Sequence, residues 1–319
     1  MSAPSPNEQL YVGVELCASS ARAALVNPAG EVLARREAAL SAVDLAPQLA
    51  RLVSELRDSA GAAAVGVGVP GLVNPQTGRV VISTDIPSVV REDLRAALAQ
   101  ATGLPVALDN DANAGALGEY TAGAGRGSRN MFYVTIGTGI GGALILDGRL
   151  WRGASGFAGE FGHITIDPEG VECICGNVGC LETVASAPNI VRRTHERLMR
   201  DSTSSLSRLG LNKNFTAADI AHEAQNGDDF AAMMIGRTGR YIGTAIAAVI
   251  NLLNTERIVL GGGVMEAGEL ILDPIVQEAR RRSFQPNFES TQIVAATLGP
   301  DAVAIGAALL AREAAQAGG

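Results

Sequence analysis

One imidazole and three thiols lie close together in the sequence, at His163, Cys173, Cys175 and Cys180. A histidine with three cysteines is a ligand set that structural zinc prefers, because it closes a tetrahedron and leaves no position for water. The chain contains 4 cysteines, and three of them in one short segment favour metal binding over disulfides in a reducing compartment. The alternative, that these are ordinary buried cysteines, stays open. The spacing predicts a structural Zn²⁺ site.

A second candidate site is the segment Asn110-Asp111-Ala112-Asn113, which follows a predicted strand at residues 106–108 and opens a predicted helix. A carboxylate at the end of a strand can accept the proton of a hydroxyl group while neighbouring amides orient a polyol. Helix capping is the alternative, because Asn or Asp at the N-cap satisfies a backbone N–H of the first turn. The segment therefore predicts either a general base or a cap.

Two glycine-rich segments each follow a predicted strand: Gly137-Thr138-Gly139-Ile140-Gly141-Gly142 and Gly261-Gly262-Gly263. Glycine lets backbone N–H groups approach a phosphate without a Cβ in the way, and the Thr138 hydroxyl adds a further donor. A tight turn between strands would explain each segment equally well. Neither segment has the spacing of a Walker loop or of a dinucleotide fingerprint.

The elements that must position these residues alternate between short apolar strands and helices. Strands are predicted at residues 11–16, 22–26, 31–36, 63–69, 106–108, 131–136, 142–146, 257–260 and 293–296, and helices at residues 45–57, 91–100 and 302–315. Helices also dominate residues 186–253. Because polar residues follow the strand ends, this alternation indicates two α/β lobes with functional residues at the carboxyl ends of the strands.

Length and charge narrow the class of protein. A chain of 319 residues is longer than one hydrophobic core usually serves, which again favours two lobes. The net charge of −8 without a Lys/Arg-rich run predicts no nucleic-acid partner. The first residues lack the apolar segment of a signal peptide, and no stretch reaches the roughly 18–20 apolar residues of a membrane helix. We therefore expect a cytoplasmic protein without a membrane partner.

Taken together, four motifs resemble the ROK family (repressors, open reading frames and kinases) over nearly the whole chain. In family order they are the acidic segment at residues 110–113, the glycine segment at residues 137–142, Glu160-Phe161-Gly162-His163, and the cysteine segment ending in Leu181-Glu182. The last two together are highly specific. The resemblance implies an α/β fold of the actin-like, RNase H-like (ASKHA) sugar kinase type. One lobe would comprise residues 1–114 plus 302–319, and the other residues 115–301 with the zinc-binding insert.

The resemblance also implies a role for each motif residue. Asp111 would be the general base that takes the proton of a hexose hydroxyl as that hydroxyl attacks the γ-phosphate of ATP. The residues that would bind the hexose are Asn110, Asp111, Glu160, His163 and Glu182, with one ring nitrogen of His163 on zinc. The residues that would contact ATP, which brings Mg²⁺, are Glu15, Ser19, Gly137, Thr138, Gly139, Gly261, Gly262 and Gly263. Family members also suggest a homo-oligomer, either a dimer or a tetramer.

The first phosphate motif departs from the family pattern, which reads Asp-x-Gly-Gly-Thr-Lys or nearly so. In the matching stretch here, Glu15 is one methylene longer than Asp, Cys17 and Ala18 replace glycines, and Ser19 replaces Thr. Family members also often have Asn and Trp where this chain has Asp85 and Val89. The sugar-binding half of the predicted site is therefore intact, while the ATP-binding half is partly eroded.

Two functions follow from this mixture. The first is an ATP-dependent hexose kinase, with glucose as the default substrate because Glu160, His163 and Glu182 resemble the glucokinase set; N-acetylmannosamine, N-acetylglucosamine, mannose and fructose are alternatives. The second is a sugar-binding sensor or regulator with weak or no kinase activity. Family repressors carry a helix-turn-helix domain before the first strand, but the first predicted strand here begins at Tyr11, so no DNA-binding domain is expected.

Overall fold

The structure is a computed structural model, and it describes residues 9–41, 43–57, 61–199, 204–208 and 215–317. Its strands are β1 (Tyr11–Leu16), β2 (Ser20–Val26), β3 (Val32–Ala39), β4 (Ala64–Val69), β5 (Leu72–Asn74), β6 (Arg79–Ile82), β7 (Val106–Asn110), β8 (Met131–Ile136), β9 (Ile140–Leu146), β10 (Arg149–Trp151), β11 (Arg257–Gly261) and β12 (Gln292–Ala295). Its α-helices are α1 (Leu45–Arg57), α2 (Leu94–Thr102), α3 (Asp111–Ala122), α4 (Glu182–Ala185), α5 (Ala187–Leu198), α6 (Ala217–Gln225), α7 (Asp229–Leu253), α8 (Glu269–Arg282), α9 (Gln285–Glu289) and α10 (Ala302–Ala317).

The chain forms two compact units. The first comprises Met1–Arg129, Ala143–Gly159 and Ala296–Gly319, and the second comprises Asn130–Gly142 and Glu160–Ala295. These bounds differ in detail from the two predicted lobes, because all of α3 and residues 143–159 lie in the first unit. Among the described residues, no helix is long and apolar enough to cross a membrane.

The first unit is built on a sheet with the strand order β3-β2-β1-β4-β7. β1, β2 and β3 pair antiparallel, whereas β1, β4 and β7 run parallel. Side chains alternate between the faces of a strand, so Val12, Val14 and Leu16 of β1 pack into one core with α1 and α2. On the opposite face, Tyr11 joins a second core that is formed largely by α10.

Helix α10 lies unusually close to the sheet because two glycines face it. Gly13 of β1 and Gly66 of β4 are direct partners in the parallel register. A Cβ at Gly13 would overlap the carbonyl oxygen of Ala304, and one at Gly66 would overlap that of Ala307. The helix predicted at residues 302–315 is therefore confirmed, and its backbone packs directly on the first unit, as predicted.

The second unit contains the parallel strands β8, β11 and β12 and a group of helices around the long α7. Phe132 of β8 meets Phe161 edge-on, with 5.2 Å between ring centroids. This contact anchors the short 3-10 helix Phe161–His163 on the strand. β9 begins in the second unit and ends in the first, where it turns at Asp147 and Gly148 into β10. Both turn residues have positive φ, as a two-residue hairpin turn requires.

Most predicted elements are present, with two informative shifts. The helix predicted from residue 91 begins at Leu94, because the Asp93 side chain accepts a hydrogen bond from the Ala96 amide and caps it there. The strand predicted from residue 142 begins at Ile140. Gly141 and Gly142 therefore belong to β9, and the glycine loop is limited to Gly137, Thr138 and Gly139, not the six residues expected.

Candidate active site

Asn110 and Asp111 stand at the junction of β7 and α3, in the first unit. Asn110 is the N-cap of α3, since its Oδ1 accepts from the Asn113 amide at 3.1 Å. Its Nδ2 donates to the Gly71 carbonyl and to Asp111 Oδ1, both at 3.0 Å. Asp111 Oδ1 also accepts from the Ala112 amide at 2.9 Å. The capping interpretation thus holds for Asn110, while the Asp111 carboxylate is fixed in orientation by two donors to one oxygen.

The environment of Asp111 disfavours its charged form. Burial raises the pKa of Asp111 to about 7, and the carboxylates of Glu15 and Asp85 push it in the same direction, while the bond from Ala112 opposes them. A carboxyl group is normally fully ionised at neutral pH. One with a pKa near 7 gains basicity and is still ionised in part, which is the condition that suits a general base.

A buried ion pair that the sequence did not reveal lies behind these two residues. Asp109 is 4 % exposed, and its Oδ2 accepts from Nε of Arg152 at 2.7 Å. Its Oδ1 accepts from Asn113 Nδ2 and from the Asn110 amide, both at 2.8 Å. Arg152 follows β10, 43 positions further along the chain than Asp109, so no local pattern links them. The one sequence feature that pointed to a polar partner for Asp109 was Asn113 in the acidic motif.

The first phosphate motif forms the tight turn between β1 and β2. The Cys17 amide donates to the Ser20 carbonyl at 2.8 Å, which leaves Ala18 and Ser19 exposed at the tip. Neither tip residue has positive φ, so this turn does not require glycine. The Glu15 carboxylate lies 3.0 Å from Nε of Arg22, its cross-strand neighbour. The pair is an ionic contact without hydrogen-bond alignment, because Glu15 Oε2 has no hydrogen-bond partner.

The second glycine loop joins β8 to β9 and is closed by a bond from the Gly137 amide to the Gly139 carbonyl at 2.9 Å. Thr138 is exposed at its tip. Among the described residues, no acceptor binds the amides of Thr138 and Gly139. Two neighbouring N–H groups without partners and an exposed hydroxyl form a set of donors suited to an anion.

Glu160, His163 and Glu182 come together in the second unit. Glu160 precedes the 3-10 helix and its Oε2 lies 4.0 Å from His163 Nε2. Burial raises the pKa of Glu160, the imidazole of His163 lowers it, and the nearby carboxylate of Glu182 raises it further. Glu182 begins α4. Two carboxylates and an imidazole that are not completely buried offer several acceptors to the hydroxyls of a polyol.

His163 also belongs to the predicted metal site. The ligand atoms of His163, Cys173, Cys175 and Cys180 all lie within 4.8 Å of one another. Cys173 Sγ is 3.7 Å from His163 Nδ1, and Cys175 Sγ is 3.7 Å from Cys180 Sγ. In a tetrahedron with a Zn–S distance of about 2.3 Å, neighbouring ligand atoms are about 3.5–3.8 Å apart. The four residues therefore fit zinc, and 3.7 Å is far too long for a disulfide.

The third glycine segment follows β11. Gly262 has φ of 89°, and a Cβ there would overlap the backbone of Ile136 at the end of β8. Gly262 is therefore explained by close packing of two strands. Gly263, by contrast, faces open space and lines a cavity of about 130 Å³. Apolar residues of α5, α6 and α7 contribute to its walls, with Gln225 and Glu266 as polar members.

The structure thus places the predicted residues in separate groups. Glu15, Ser19, Asn110 and Asp111 lie in the first unit, and the other predicted site residues lie in the second. The sequence profile of the ROK family matches residues 11–314. The chain belongs to the ROK family.

Relatives of this ROK protein include both kinases and regulators. A glucokinase from Halalkalibacterium halodurans is 37% identical over 319 residues, covering 96% of this chain and 96% of that protein. A xylose repressor from Caldicellulosiruptor bescii is 30% identical over 307 residues, covering 92% of this chain and 76% of the repressor. The family alone therefore does not decide between catalysis and regulation.

A solved structure defines the fold. The crystal structure of a ROK family glucokinase from Streptomyces griseus, in complex with glucose and AMPPNP, matches this chain with a TM-score of 0.86 at 33% identity. The match covers 95% of this chain and 99% of the glucokinase. The ROK protein described here therefore has the actin-like fold of sugar kinases, as the motifs predicted.

Proposed function

We propose that this ROK protein is an ATP-dependent hexose kinase that converts glucose to glucose 6-phosphate, with Asp111 as its general base. The observation that carries the proposal is the state of Asp111. Two donors hold its Oδ1, and burial raises its pKa to about 7. A carboxylate with a purely structural role, such as a helix cap, usually has a lowered pKa. The similarity to glucokinases supports the same reaction.

In the proposed step, the hexose 6-hydroxyl oxygen forms a bond to the γ-phosphorus of ATP while the bond to the β-phosphate oxygen breaks. ADP leaves, and the hydroxyl proton passes to Asp111. Mg²⁺ bound with ATP would neutralise the phosphate charge. Asn110 uses both amide hydrogens on Gly71 and Asp111, and its Oδ1 already accepts from the Asn113 amide. The second lone pair of Oδ1 is left to accept from a sugar hydroxyl.

The proposed hexose ligands of the second unit are Glu160, His163 and Glu182. His163 faces Cys173 with Nδ1 and Glu160 with Nε2. If Nδ1 binds the metal, Nε2 is left as an N–H donor toward the sugar, because a metal on one ring nitrogen fixes the proton on the other. Zinc bound by His163 and the three cysteines would be structural, since these four ligands leave no open position for water.

For the nucleotide, we assign the phosphates to the loop of Gly137, Thr138 and Gly139, in which the amides of Thr138 and Gly139 and the Thr138 hydroxyl are the available donors. The adenine is assigned to the cavity beside Gly263, whose apolar lining and volume of about 130 Å³ suit a flat aromatic ring. Gly261 and Gly262, which precede Gly263 in the chain, are the other proposed contacts on the adenosine side. Glu15 in β1 and Ser19 in the exposed β1–β2 turn are the proposed contacts for the metal-bound water and the terminal phosphates.

One observation favours the alternative function, a sugar-binding sensor with weak or no kinase activity. Glu15 is 15 % exposed and is already paired with Arg22, so binding of the Mg²⁺ shell must compete with that ion pair. Cys17 and Ala18 add side chains where a phosphate would approach the backbone most closely.

Two measurements on the purified protein separate the functions. A coupled-enzyme assay with ATP, Mg²⁺ and a panel of hexoses tests catalysis, and calorimetric titrations with each hexose and with a non-hydrolysable ATP analogue test binding. A kinase is expected to phosphorylate glucose with an ordinary KM for the sugar and a high KM for ATP. If the protein binds a hexose but binds no nucleotide at millimolar concentration, the kinase function is rejected in favour of the sensor function.

A further inference from the structure

The loop Gly137-Thr138-Gly139 is held from two sides by the segment that follows the cysteine cluster. The amide of Ile140, directly after the loop, donates to Glu182 Oε2 at 2.8 Å. At the other end of the loop, the Gly137 carbonyl accepts from the amide of Ala187, the first residue of α5, at 2.8 Å. The loop is therefore docked on the short stretch that contains α4 and the start of α5.

The carboxylate of Glu182 is in close contact with the loop backbone. A Cβ at Gly139 would lie 2.8 Å from Glu182 Oε2, closer than a carbon and an oxygen normally approach. A side chain at position 139 would therefore displace the Glu182 carboxylate from its present place against the loop. A carboxylate close to a phosphate-binding loop repels phosphate through its charge, so its presence needs a reason beyond sugar recognition.

The hydrogen bond from the Ile140 amide to Glu182 Oε2 provides a reason for the carboxylate to lie beside the loop. A bond from a backbone N–H to an ionised carboxylate is about twice as strong as one between neutral groups. It fixes the position of Ile140 and, through the closed turn from Gly137 to Gly139, the direction of the free amides of Thr138 and Gly139. A loop that is already ordered loses less conformational entropy when it binds an anion.

We propose that Glu182 is a positioning residue for the phosphate loop, holding the Ile140 amide with Oε2 so that the loop is pre-ordered for the nucleotide. This inference rests on the proposed kinase function and adds a second role to a residue assigned to the hexose. Oε1 remains for a sugar hydroxyl, so one carboxylate serves both substrates. The geometry predicts that nucleotide affinity depends on Glu182 even when no hexose is present.

The test measures the affinity for a non-hydrolysable ATP analogue with Mg²⁺, by calorimetry, in the absence of hexose. We expect Glu182→Ala to weaken this affinity by about tenfold, the loss that follows from removing one charge-assisted hydrogen bond. Glu182→Gln retains an oxygen that accepts from Ile140, and its nucleotide affinity should stay within a few-fold of the parent. An unchanged or increased affinity in Glu182→Ala would overturn the proposal.

Glu160→Ala is the matched control. It removes a carboxylate from the same proposed hexose site, but Glu160 makes no hydrogen bond to the loop among the described residues. It should weaken hexose binding and leave the hexose-free nucleotide affinity unchanged. An equal loss of nucleotide affinity in Glu160→Ala and Glu182→Ala would attribute the effect to the sugar site as a whole and refute the specific role of Glu182.

A second readout does not depend on nucleotide binding at all. Amide hydrogen exchange at Ile140 should be slow in the parent and in Glu182→Gln, and markedly faster in Glu182→Ala. Glu182→Met, which keeps the length of the side chain but not the acceptor, replaces the alanine variant if that variant does not fold. If the parent binds no nucleotide, the kinase proposal fails, and the Ile140 exchange still decides whether Glu182 holds the loop.

Discussion

At the scale of single residues, the proposed role of Asp111 and its surroundings favour opposite protonation states. The base must be ionised to accept a proton, yet its surroundings of buried groups and two carboxylates, Glu15 and Asp85, favour the protonated form. Ionising Asp111 therefore lowers the free energy of unfolding, because the unfolded chain ionises the same group at an ordinary pKa near 3.8. Activity and stability should therefore respond to pH in opposite directions around this residue.

The first prediction concerns Asp111→Asn. Because a general base typically contributes about 10²–10⁴-fold, kcat should fall by that factor while the calorimetric Kd for glucose changes far less. In the parent, the pKa of Asp111 is raised on folding, so the free energy of unfolding declines as pH rises from about 4 to about 7, and the loss is complete above that window. Asparagine does not ionise, so the variant does not suffer this loss of stability. Its gain in Tm over the parent should therefore be larger at pH 8 than at pH 5. A gain in Tm that is the same at both pH values would contradict the raised pKa.

The second prediction uses Asp85, where family members often have Asn. Since the charge of Asp85 raises the pKa of Asp111, Asp85→Asn should lower it. The kcat of the parent should rise with pH through about 7, and the midpoint of that rise should move to lower pH in the variant. Glu92→Gln removes a carboxylate that is not among the main causes of the raised pKa of Asp111 and serves as the control. A pH–rate profile with the same midpoint in parent and Asp85→Asn would exclude this coupling.

At the scale of the elements, the sequence predicted where strands end more reliably than what the strand ends contact. Polar residues from Asp109 onward and the glycines from Gly137 and Gly261 predicted the carboxyl ends of three strands to within two residues, because composition changes abruptly there. β7 continues to Asn110, and β11 includes Gly261. The ion pair of Asp109 with Arg152 could not be predicted, since it depends on where residues far apart in the sequence meet in the fold. The early start of β9 was missed because glycines in a sequence are typical of a loop, although Gly141 and Gly142 lie within the strand.

The β1–β2 turn provides a prediction at this scale. Changing Glu15 to Asp shortens the side chain that carries the carboxylate. Changing Cys17 and Ala18 to Gly should restore close approach of the backbone to a phosphate. We expect kcat/KM for ATP to increase, while the KM for glucose stays nearly constant because the altered turn contains no proposed hexose ligand. Steady-state kinetics with each substrate varied in turn measures both constants. A combined variant whose kcat/KM for ATP equals that of the parent would show that the altered turn does not limit the reaction.

The cysteine segment provides a further prediction at the scale of the elements. With zinc bound, the thiols of Cys173, Cys175 and Cys180 should resist alkylation, because metal-bound thiolates react slowly. Cys17 should be the reactive thiol, and it should react slowly, since burial and the nearby Glu15 raise its pKa. A thiol titration should count one slow thiol before chelation and four after it, with one zinc ion released per chain. Fast reaction of Cys173, Cys175 and Cys180 in chelator-free protein without zinc would contradict the metal site.

At the scale of the whole molecule, the first unit depends on the contact of α10 with the glycine pair Gly13 and Gly66. The sequence predicted both the strands and the closing helix, since each has a clear apolar pattern. It did not predict that these two glycines are register partners, because register across β1 and β4 is a property of the assembled sheet. A side chain at either position has no space, since its first atom would overlap helix backbone rather than a movable side chain.

Gly66→Ala should therefore destabilise the protein by about 3 kcal/mol, the upper part of the usual range for overpacking. Gly236→Ala is the control, because a Cβ at Gly236 would meet only Pro274 Cγ at 3.9 Å. That substitution lies inside α7, where alanine favours the helix by about 1 kcal/mol. Denaturant unfolding of both variants measures the difference. Equal midpoints for the two variants would show that α10 can move away from the sheet at little cost.

The position of α10 in the chain also has a consequence for synthesis on the ribosome. Residues 302–317 leave the ribosome after the whole of the second unit, so the first unit is the last to receive an essential part, the helix that covers Gly13 and Gly66. Until then, the face of β1 and β4 that α10 will cover is open, and it exposes Tyr11 beside the two glycines. A nascent chain that stops at residue 299, followed by a linker long enough to span the ribosomal exit tunnel, should therefore protect the second unit from protease and leave the first unit open to cleavage.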